Sequence, residues 1–423
     1  MSELTCFKAY DIRGEIGVNI DETVAYRIGR AVAQHFGAKS VVIGFDARET
    51  SPAFAAAASQ GARDAGADVV NIGMAGTEEM YWAVTEFGAC AGIEVTASHN
   101  PINYNGIKIV KSHSRPLDDT SDFQVIKALA GSQEWLSVAE VGKELDRSAE
   151  ARKAYVDRIL SFVDIEALRP LKVVVNSGNG AAGPTFDALA ARLLALGAPM
   201  NVIPVHHTPD PTFPNGIPNP LLPENHPATT DVVKAEKADF GVAFDGDFDR
   251  CFFFDDVGQF VPGEYVVGLL ASIFLEKEAG AKIVHDPRVT WNTQDNVAQK
   301  GGIAVQSKTG HAFIKQTMRS QEAVYGGEMS AHHYFRDFAY CDSGMIPWLL
   351  IAELVSRSGR SLGDWVKNRF DAFPSSGEIN FKVDDASKAK KRAASVFKEV
   401  RVRRLELNIR EILNTSIFYA IKG

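Results

Sequence analysis

The chain has 423 residues, of which 45% are hydrophobic and 23% are charged, and its formal net charge at pH 7 is −8. This length is too great for one ordinary domain, and the negative charge argues against nucleic acid or an acidic membrane surface as a partner. No apolar stretch approaches the roughly 18 residues that a membrane span needs, and charged residues (Lys8, Asp11, Arg13) stand where a signal peptide needs an apolar core. The four cysteines are widely spaced, as in proteins with reduced thiols. We therefore expect a soluble, cytoplasmic protein without a nucleic-acid or membrane partner; the sequence leaves its oligomeric state open.

Three segments share one pattern, an apolar strand followed by a polar or glycine-rich turn, a helix and a second strand. They span residues 40–73, 171–205 and 281–310. Such strand–helix–strand units build α/β domains with parallel strands. The sequence therefore predicts related α/β domains in tandem, with boundaries near residues 145–153, 255–262 and 370–376.

Within the first segment's domain, a strand-like run at Ile93 and Val95 leads into the polar turn 96–101, and a second run follows at 106–110. Ser98 in this turn is a candidate for chemistry, because functional residues concentrate on loops held by a rigid scaffold. The alternative is a turn whose hydroxyl only bonds local backbone. Ser98 lacks the G-x-S-x-G context of hydrolase nucleophiles, and His99 beside it on an extended segment points away from it.

Gly178, Gly180 and Gly183 spell G-x-G-x-x-G between a strand and a helix. This is the dinucleotide fingerprint, but the acidic residue expected at the end of the next strand is missing from residues 202–206. We interpret these glycines as allowing close packing of strand and helix. A dinucleotide-dependent oxidoreductase is the weakest of the alternatives.

Asp245, Asp247 and Asp249 alternate after a second apolar strand. If the chain is extended here, the three carboxylates share one face, and oxygen ligands of this kind favour Mg²⁺. Arg250 stands where an EF-hand needs glycine, which excludes a calcium loop of that type. The alternative is a hairpin rim with solvated aspartates.

Two polar clusters follow in the third segment's domain. Residues 307–315 place Lys308, Thr309, the Gly310 amide and His311 at a strand end. Residues 325–335 contain Glu328, Ser330, His332 and His333, which suit sugar hydroxyls and proton transfer. Together with Arg13, Lys108, the serine and the acidic residues, these clusters indicate phosphoryl transfer, which needs positioning and charge neutralisation above all.

Three of these motifs resemble those of the α-D-phosphohexomutases. T-A-S-H-N-P (96–101) looks like their phosphoserine loop, D-G-D-F-D-R (245–250) like their metal loop, and G-E-M-S-A-H-H (327–333) like their sugar-recognition loop. F-K-A-Y-D-I-R-G (7–14) looks most like the bacterial phosphomannomutases that serve GDP-mannose synthesis. The resemblance covers roughly residues 4–380 in family order.

The resemblance implies three tandem α/β domains with mixed sheets around a central cleft, plus an α+β domain that is truncated or atypical here. The expected domains are residues 1–150, 151–256, 257–370 and 371–423. It also implies that a phosphoryl group passes between a serine and a phosphosugar through a hexose 1,6-bisphosphate, which serves as intermediate and activator.

The resemblance also assigns roles to individual residues. The expected catalytic residues are Ser98, Lys108, His311, Arg13, Arg250 and His99. The expected Mg²⁺ ligands are Asp245, Asp247, Asp249 and an oxygen of phosphorylated Ser98. The expected substrate-binding residues are Glu328, Ser330, His332, Thr309, Gly310 and Arg288.

Two features depart from the family. Phe248 stands where many relatives have glycine, although its side chain can still point away from a metal. Nothing in residues 373–423 resembles the family's phosphate-clamping R-x-S-x-T-E-P loop, and two basic helical patches (386–404 and 405–413) are expected instead. The sequence therefore leaves open a phosphomannomutase, a truncated relative with weak or no mutase activity, and a phosphoglucomutase-type specificity.

Overall fold

The structure, a computed structural model, describes residues 4–8 and 11–375, together with 385, 387–389 and 392. This part of the chain folds into three α/β units, each built on one mixed sheet, which confirms the predicted fold class for the three tandem domains. The expected C-terminal domain, with its two helical patches, lies outside the described residues from residue 376 onward, apart from those few positions. The expected domain boundaries stay predictions.

The first unit contains β1 (Ile12–Glu15), α1 (Glu22–Phe36), β2 (Ser40–Phe45), α2 (Ser51–Asp64), β3 (Asp68–Met74), α3 (Thr77–Glu86), β4 (Ala91–Val95), β5 (Tyr104–Lys111), β6 (Arg115–Pro116), α4 (Gln124–Ser132) and β7 (Glu144–Asp146). Its sheet has the order β1-β5-β4-β2-β3-β7, with β6 paired to β5. Strands β4, β2, β3 and β7 are parallel, whereas β5 is antiparallel to both β1 and β4. The carboxyl ends of β2 and β4 therefore meet at one edge, where the loop with Ser98 begins.

The second unit contains α5 (Ser148–Leu160), β8 (Leu171–Asn176), α6 (Ala182–Ala195), β9 (Met200–Val205), α7 (Pro227–Glu236), β10 (Phe240–Phe244), β11 (Cys251–Phe254) and β12 (Phe260–Val261). The sheet order is β12-β11-β10-β8-β9. Strands β9, β8 and β10 are parallel, and β11 returns antiparallel to β10. The turn between β10 and β11 carries the three aspartates.

The third unit contains α8 (Gly263–Lys277), β13 (Lys282–His285), α9 (Thr290–Gln299), β14 (Ile303–Gln306), α10 (His311–Gln321), β15 (Tyr325–Gly327), β16 (His333–Phe335), β17 (Cys341–Asp342), α11 (Met345–Ser358) and α12 (Leu362–Ala372). The sheet order is β14-β13-β15-β16-β17. The turn from β15 to β16 carries the expected sugar-recognition residues.

The three predicted strand–helix–strand units are all present, as β2-α2-β3, β8-α6-β9 and β13-α9-β14. In each unit the two strands pair directly and in parallel. Strand β10 shows why these segments form strands: its five residues are all buried, which matches the short apolar runs typical of strands covered on both faces.

Helix α11 lies at the centre of the core. Trp348 in this helix is fully buried and its ring centroid lies 5.3 Å from that of Phe186 in α6. One continuous cluster of buried side chains extends from the first sheet through the second and third. Although the first eight residues of α11 are all apolar, none of the helices in the described part of the chain is long and apolar enough to cross a membrane.

Two adjacent acidic residues of α3 join the first unit to the other two. Glu78 Oε1 accepts hydrogen bonds from the backbone amides of Gly344 (2.9 Å) and Met345 (3.2 Å) at the N-terminus of α11. Glu79 Oε2 accepts one from Thr185 Oγ1 in α6 at 3.0 Å. An acidic group at a helix N-terminus satisfies amides that have no partner within the helix. Helix α3 is therefore fixed at its first turn by all three units.

The glycines at 178–183 serve packing, as the sequence predicts. A Cβ on Gly183 would lie 1.9 Å from the carbonyl oxygen of His207, which follows β9. A Cβ on Gly180 would lie 2.8 Å from the carbonyl oxygen of Gly246, in the turn with the three aspartates. The fingerprint-like spacing therefore reflects close approach of the chain to itself.

We predict that Gly183→Ala destabilises the protein, because the added methyl group meets backbone that cannot rotate away. Such overpacking costs about 1–3 kcal/mol, or about 2–4 °C in melting temperature for each kcal/mol. Gly131→Ala, in α4, is the matched control, since nothing lies within 4 Å of the place that its added methyl group would take. It should leave the melting temperature unchanged or raise it slightly. Equal melting temperatures for the two variants, measured by thermal unfolding, would contradict this account.

Candidate active site

The serine and the acidic turn meet directly across the first and second units. Ser98 Oγ donates a hydrogen bond to Asp245 Oδ2 at 2.5 Å and accepts one from Arg250 Nη2 at 3.0 Å. Ser98 has a backbone φ of +48°, in the left-handed region that residues other than glycine rarely adopt. The structure thus brings together two motifs that lie 147 residues apart in the chain.

The loop that carries Ser98 is held by Arg48, which sequence reasoning missed. Its guanidinium donates to the carbonyl oxygens of Ser98 (2.9 Å), Asn100 (2.6 Å), Pro101 (3.0 Å) and Tyr104 (3.0 Å). Arg48 follows β2 and Ser98 follows β4, and these two strands are parallel neighbours. That adjacency is the signal by which Arg48 could have been found.

Arg13 also contacts this loop, as the resemblance leads one to expect for a residue near Ser98. Its Nη1 donates to the carbonyl oxygen of Ala97 at 3.3 Å and to Asn100 Oδ1, while its Nε donates to Asp11 Oδ2 at 2.7 Å. Arg13 therefore reaches the serine loop from strand β1 and faces the same cavity as Ser98.

The acidic trio (Asp245, Asp247 and Asp249) converges, but not because the chain is extended. The chain turns at Gly246 and Asp247, the amide of Phe248 donates to the carbonyl oxygen of Asp245 at 3.1 Å, and Phe248 has a φ of +45°. The assumption of an extended chain was wrong, because the approach of β10 to its antiparallel neighbour β11 requires a turn here. The Phe248 ring is fully buried against Gly76 of the first unit.

Each aspartate of the trio has one hydrogen-bonded oxygen and one oxygen that accepts no hydrogen bond from the described residues. Oδ2 of Asp245 is bonded to Ser98 and Arg250, and Oδ2 of Asp247 and of Asp249 accepts from Lys108 Nζ at 2.7 and 2.6 Å. All three Oδ1 atoms are buried and have no hydrogen-bond partner among the described residues. One oxygen or more from each aspartate lies within 4.8 Å of the others. Buried, unpartnered carboxylate oxygens converging in this way fit a divalent cation such as Mg²⁺.

The electrostatics of the trio also favour a cation. Burial raises the pKa of Asp245 to about 7, although Arg250 opposes this shift, and the two neighbouring carboxylates add to it. Burial disfavours the charged form of Lys108, but Asp247 and Asp249 raise its pKa above the ordinary value. Lys108 therefore remains an ammonium ion, and the trio still has more negative charge than its protein partners balance.

A cavity of about 140 Å³ is lined by Ser98 and by three of the expected histidines. Burial lowers the pKa of His99 to about 3 and that of His311 to about 4, and it also lowers the pKa of His332. These imidazoles are therefore neutral near pH 7. His333 lies elsewhere, because its ring is buried and its Nδ1 pairs with Tyr325 Oη at 2.7 Å.

The expected substrate residues form a second group beside the cavity. Glu328 Oε1 accepts from the Gly310 amide at 2.9 Å, Glu328 Oε2 accepts from Tyr334 Oη at 2.5 Å, and Arg288 Nη2 lies 4.0 Å from Glu328 Oε1. Ser330 Oγ lies 3.1 Å from His332 Nδ1. His332 connects this group to the trio, since its Nε2 is 3.6 Å from Asp249 Oδ1.

Not every expected residue lines the cavity. The described residues that form its wall include Ser98, His99, Lys108, Arg250, His311 and His332. They leave out Glu328, Ser330, Thr309, Gly310 and Arg288. Thr309 follows Lys308 in the loop before α10 and is half-buried. The second group is thus adjacent to the cavity and separate from its wall.

Lys315 and Asp342 are further cavity residues that sequence reasoning missed. Lys315 Nζ lies 2.5 Å from Asp342 Oδ1, and both side chains are buried. Asp342 also lies within 4.8 Å of Asp249 and His332, as ligands of a second cation would. The ammonium group of Lys315 already pairs with Asp342, so we assign no second cation here. Lys315 stands one helical turn after His311 on α10, and that spacing could have revealed it.

The comparisons with known proteins agree with this fold. Residues 5–134, 153–258 and 262–373 match phosphoglucomutase/phosphomannomutase alpha/beta/alpha domains I, II and III in that order. A phosphomannomutase of Salmonella montevideo is 55% identical over 399 residues, which are 94% of this chain and 88% of the relative. A phosphomannomutase of Escherichia coli K12 is 56% identical over 383 residues, or 90% of this chain and 84% of the relative.

A solved structure gives the same result. The crystal structure of a phosphoglucomutase/phosphomannomutase family protein from Burkholderia thailandensis has a TM-score of 0.77 and 32% identity, and the match covers 91% of this chain and 87% of that one. The three α/β domains are those of a phosphohexomutase, an enzyme of the isomerase class. The chain belongs to the phosphoglucomutase/phosphomannomutase family, and its curated relatives support phosphomannomutase function.

We predict that Arg48→Met strongly destabilises the protein, because it leaves four loop carbonyls and the buried Asp46 carboxylate without their guanidinium. Removing one partner of a buried charged pair costs about 3–5 kcal/mol. Arg63→Met is the matched control: Arg63 is partly exposed and donates to the carbonyl of Gly142. Thermal unfolding should show a much lower melting temperature for Arg48→Met than for Arg63→Met. A comparable loss in both variants would show that Arg48 has no special role in holding the loop.

Proposed function

We propose that this chain interconverts mannose 6-phosphate and mannose 1-phosphate through a phosphoserine at position 98 and a bisphosphorylated hexose. The observation that carries the proposal is the 2.5 Å hydrogen bond from Ser98 Oγ to Asp245 Oδ2, at the edge of the acidic trio. The sugar assignment is supported by the names of the relatives, which include phosphomannomutases at 55% and 56% identity.

Mg²⁺ would be held by the acidic trio and an oxygen of the phosphorylated serine. The three unpartnered Oδ1 atoms support this assignment, since hard divalent cations prefer oxygen ligands. When bound, the cation neutralises charge on the serine oxygen and the transferring phosphoryl group.

The residues around Ser98 would supply the remaining positive charge and the proton acceptor that the transfer needs. A sugar hydroxyl attacks the phosphorus of phosphoserine, its bond to phosphorus forms, and the bond from phosphorus to Ser98 Oγ breaks. Arg250, which donates to Ser98 Oγ at 3.0 Å, stabilises the departing oxygen. Lys108 remains protonated and adds positive charge. His311 lines the same cavity as Ser98, and we propose that its imidazole accepts the proton of the attacking hydroxyl.

The other cavity residues would orient the loop and the substrate. His99 accepts from Asn219 Nδ2 at 3.2 Å through Nδ1, which fixes its ring beside Ser98. Arg13 lines the same cavity, and we propose that its guanidinium supplies positive charge to the phosphate being transferred. Together these groups keep the serine and the phosphoryl group in one position while the sugar changes its orientation.

The group beside the cavity would bind the hexose. A carboxylate accepts hydrogen bonds from ring hydroxyls, whereas hydroxyl and imidazole groups can both accept and donate them. We assign these roles to Glu328, Ser330 and His332. Glu328 is held by the Gly310 amide and Tyr334, so it presents a fixed acceptor. Arg288, with Thr309 and Gly310, would receive the phosphate that is not transferred.

The hexose 1,6-bisphosphate would load the serine and act as activator. The partner would be a small phosphosugar rather than nucleic acid or membrane.

We predict that Ser98→Ala abolishes both phosphorylation and turnover, because the variant lacks the hydroxyl that would carry the phosphoryl group. The wild-type protein incubated with Mg²⁺ and hexose 1,6-bisphosphate should gain the mass of one phosphoryl group, and Ser98→Ala should not. Turnover of mannose 1-phosphate in a coupled assay should fall by about 10³-fold or more. The control is Ser132→Ala, at the end of α4, which should behave as wild type in both measurements.

Two results would count against this proposal. Retained phosphorylation in Ser98→Ala would place the covalent group elsewhere. A higher kcat/KM with glucose 1-phosphate than with mannose 1-phosphate would overturn the sugar assignment and leave the phosphoserine chemistry intact.

A further inference from the structure

Thr77 contacts a residue of the acidic trio from another unit of the fold. It is the first residue of α3, and its side chain is fully buried. Its Oγ1 donates to Asp247 Oδ2 at 2.6 Å, and its backbone amide donates to the carbonyl oxygen of Asp247 at 3.2 Å. Two hydrogen bonds from the first unit thus hold one aspartate of the second unit.

The backbone around Thr77 is shaped for this contact. A Cβ on Gly76 would lie 2.6 Å from the carbonyl oxygen of Asp247 and 2.3 Å from the ring of Phe248. Only glycine at 76 allows the start of α3 to approach the acidic turn this closely. Because Glu78 fixes the same turn of α3 to the third unit, Thr77 is held by a rigid element.

We infer that Thr77 is a positioning residue that orients the Asp247 carboxylate for the divalent cation, an inference that rests on the cation site proposed above. With Oδ2 fixed by the Thr77 hydroxyl, Asp247 Oδ1 is the oxygen left without a partner among the described residues. A carboxylate that keeps one oxygen bonded presents the other in a single direction, and hydrogen-bond partners of this kind raise metal affinity.

Lys108 also bonds Asp247 Oδ2, but it cannot orient this carboxylate by itself. Its ammonium group is shared with Asp249, at 2.7 and 2.6 Å, and it stands on a long, flexible side chain. Among the described residues, the Thr77 hydroxyl donates a hydrogen bond to Asp247 alone, and the short, β-branched threonine side chain has few rotamers. The first unit therefore contributes both Ser98 and Thr77 to the site, and the site is complete only when the first two units are docked.

The test measures Mg²⁺ binding directly, so that it does not depend on turnover. MgCl₂ is titrated calorimetrically into the full-length protein, with Ser98 in the same phosphorylation state in every variant, as checked by intact mass. Thr77→Val removes the hydroxyl and keeps the shape of the side chain. The matched control is Thr185→Val, since Thr185 is also fully buried and donates across a boundary between units to a carboxylate, that of Glu79, which is not in the trio.

We expect Thr77→Val to raise the Kd for Mg²⁺ by about 10-fold or more, with Thr185→Val within about twofold of wild type. Thr77→Ala should bind Mg²⁺ more weakly than the wild type, whereas Thr77→Ser should keep most of the wild-type affinity, because serine keeps the hydroxyl. This second pair decides the question if the valine variant does not fold.

Each contrary result has a distinct meaning. A folded Thr77→Val with the wild-type Kd, or equal affinities for Thr77→Ser and Thr77→Ala, would overturn this inference and leave the proposed cation site standing. An equal loss in Thr185→Val would also overturn it, because a general effect of buried threonine would then explain the result. A wild-type protein that binds no Mg²⁺ would overturn the cation site together with this inference.

Discussion

The hydrogen bond between Ser98 and Asp245 is the contact on which the rest of the site depends. It requires two loops from different sheets to approach so closely that a Cβ on Gly246 would lie 2.5 Å from the carbonyl oxygen of Ser98. Ser98 and Phe248 both adopt left-handed backbone conformations there. Such conformations cost about 1–3 kcal/mol each and persist where the surrounding structure determines them. Here Arg48 holds the loop of Ser98, and the buried ring of Phe248 holds the acidic turn.

Much of the fold could be predicted because its signals are local. Short apolar runs separated by glycine-rich turns indicate the strand–helix–strand units. Ser98 and the acidic trio stand at strand ends, where the topology brings loops together. The convergence of Asp245, Asp247 and Asp249 was expected for the wrong reason. Alternation along an extended strand would also place them together, but a turn with Phe248 in an unusual conformation is what does so.

The residues that sequence reasoning missed have long-range partners and no motif of their own. Thr77 and Asp247 are 170 positions apart, and Arg48 is an isolated arginine in an ordinary turn. Lys315 and Asp342 form their ion pair only once α10 and β17 are packed in the third unit. Their roles depend on which loops tertiary packing brings into contact, and local patterns carry little of that information. The opposite case is His333, which shares a motif with His332 but faces the core.

Helix α3 has a consequence for how such proteins diversify. Three tandem units of similar pattern look modular, as if each were exchangeable between relatives. Yet Glu78 caps the N-terminus of a helix in the third unit, and Glu79 bonds to a helix in the second. A first unit transplanted into a relative therefore carries two buried carboxylates that need matching partners there. Recombination at the unit borders therefore has to preserve those partners, and inheritance of the three units as one block is the simplest way to do so.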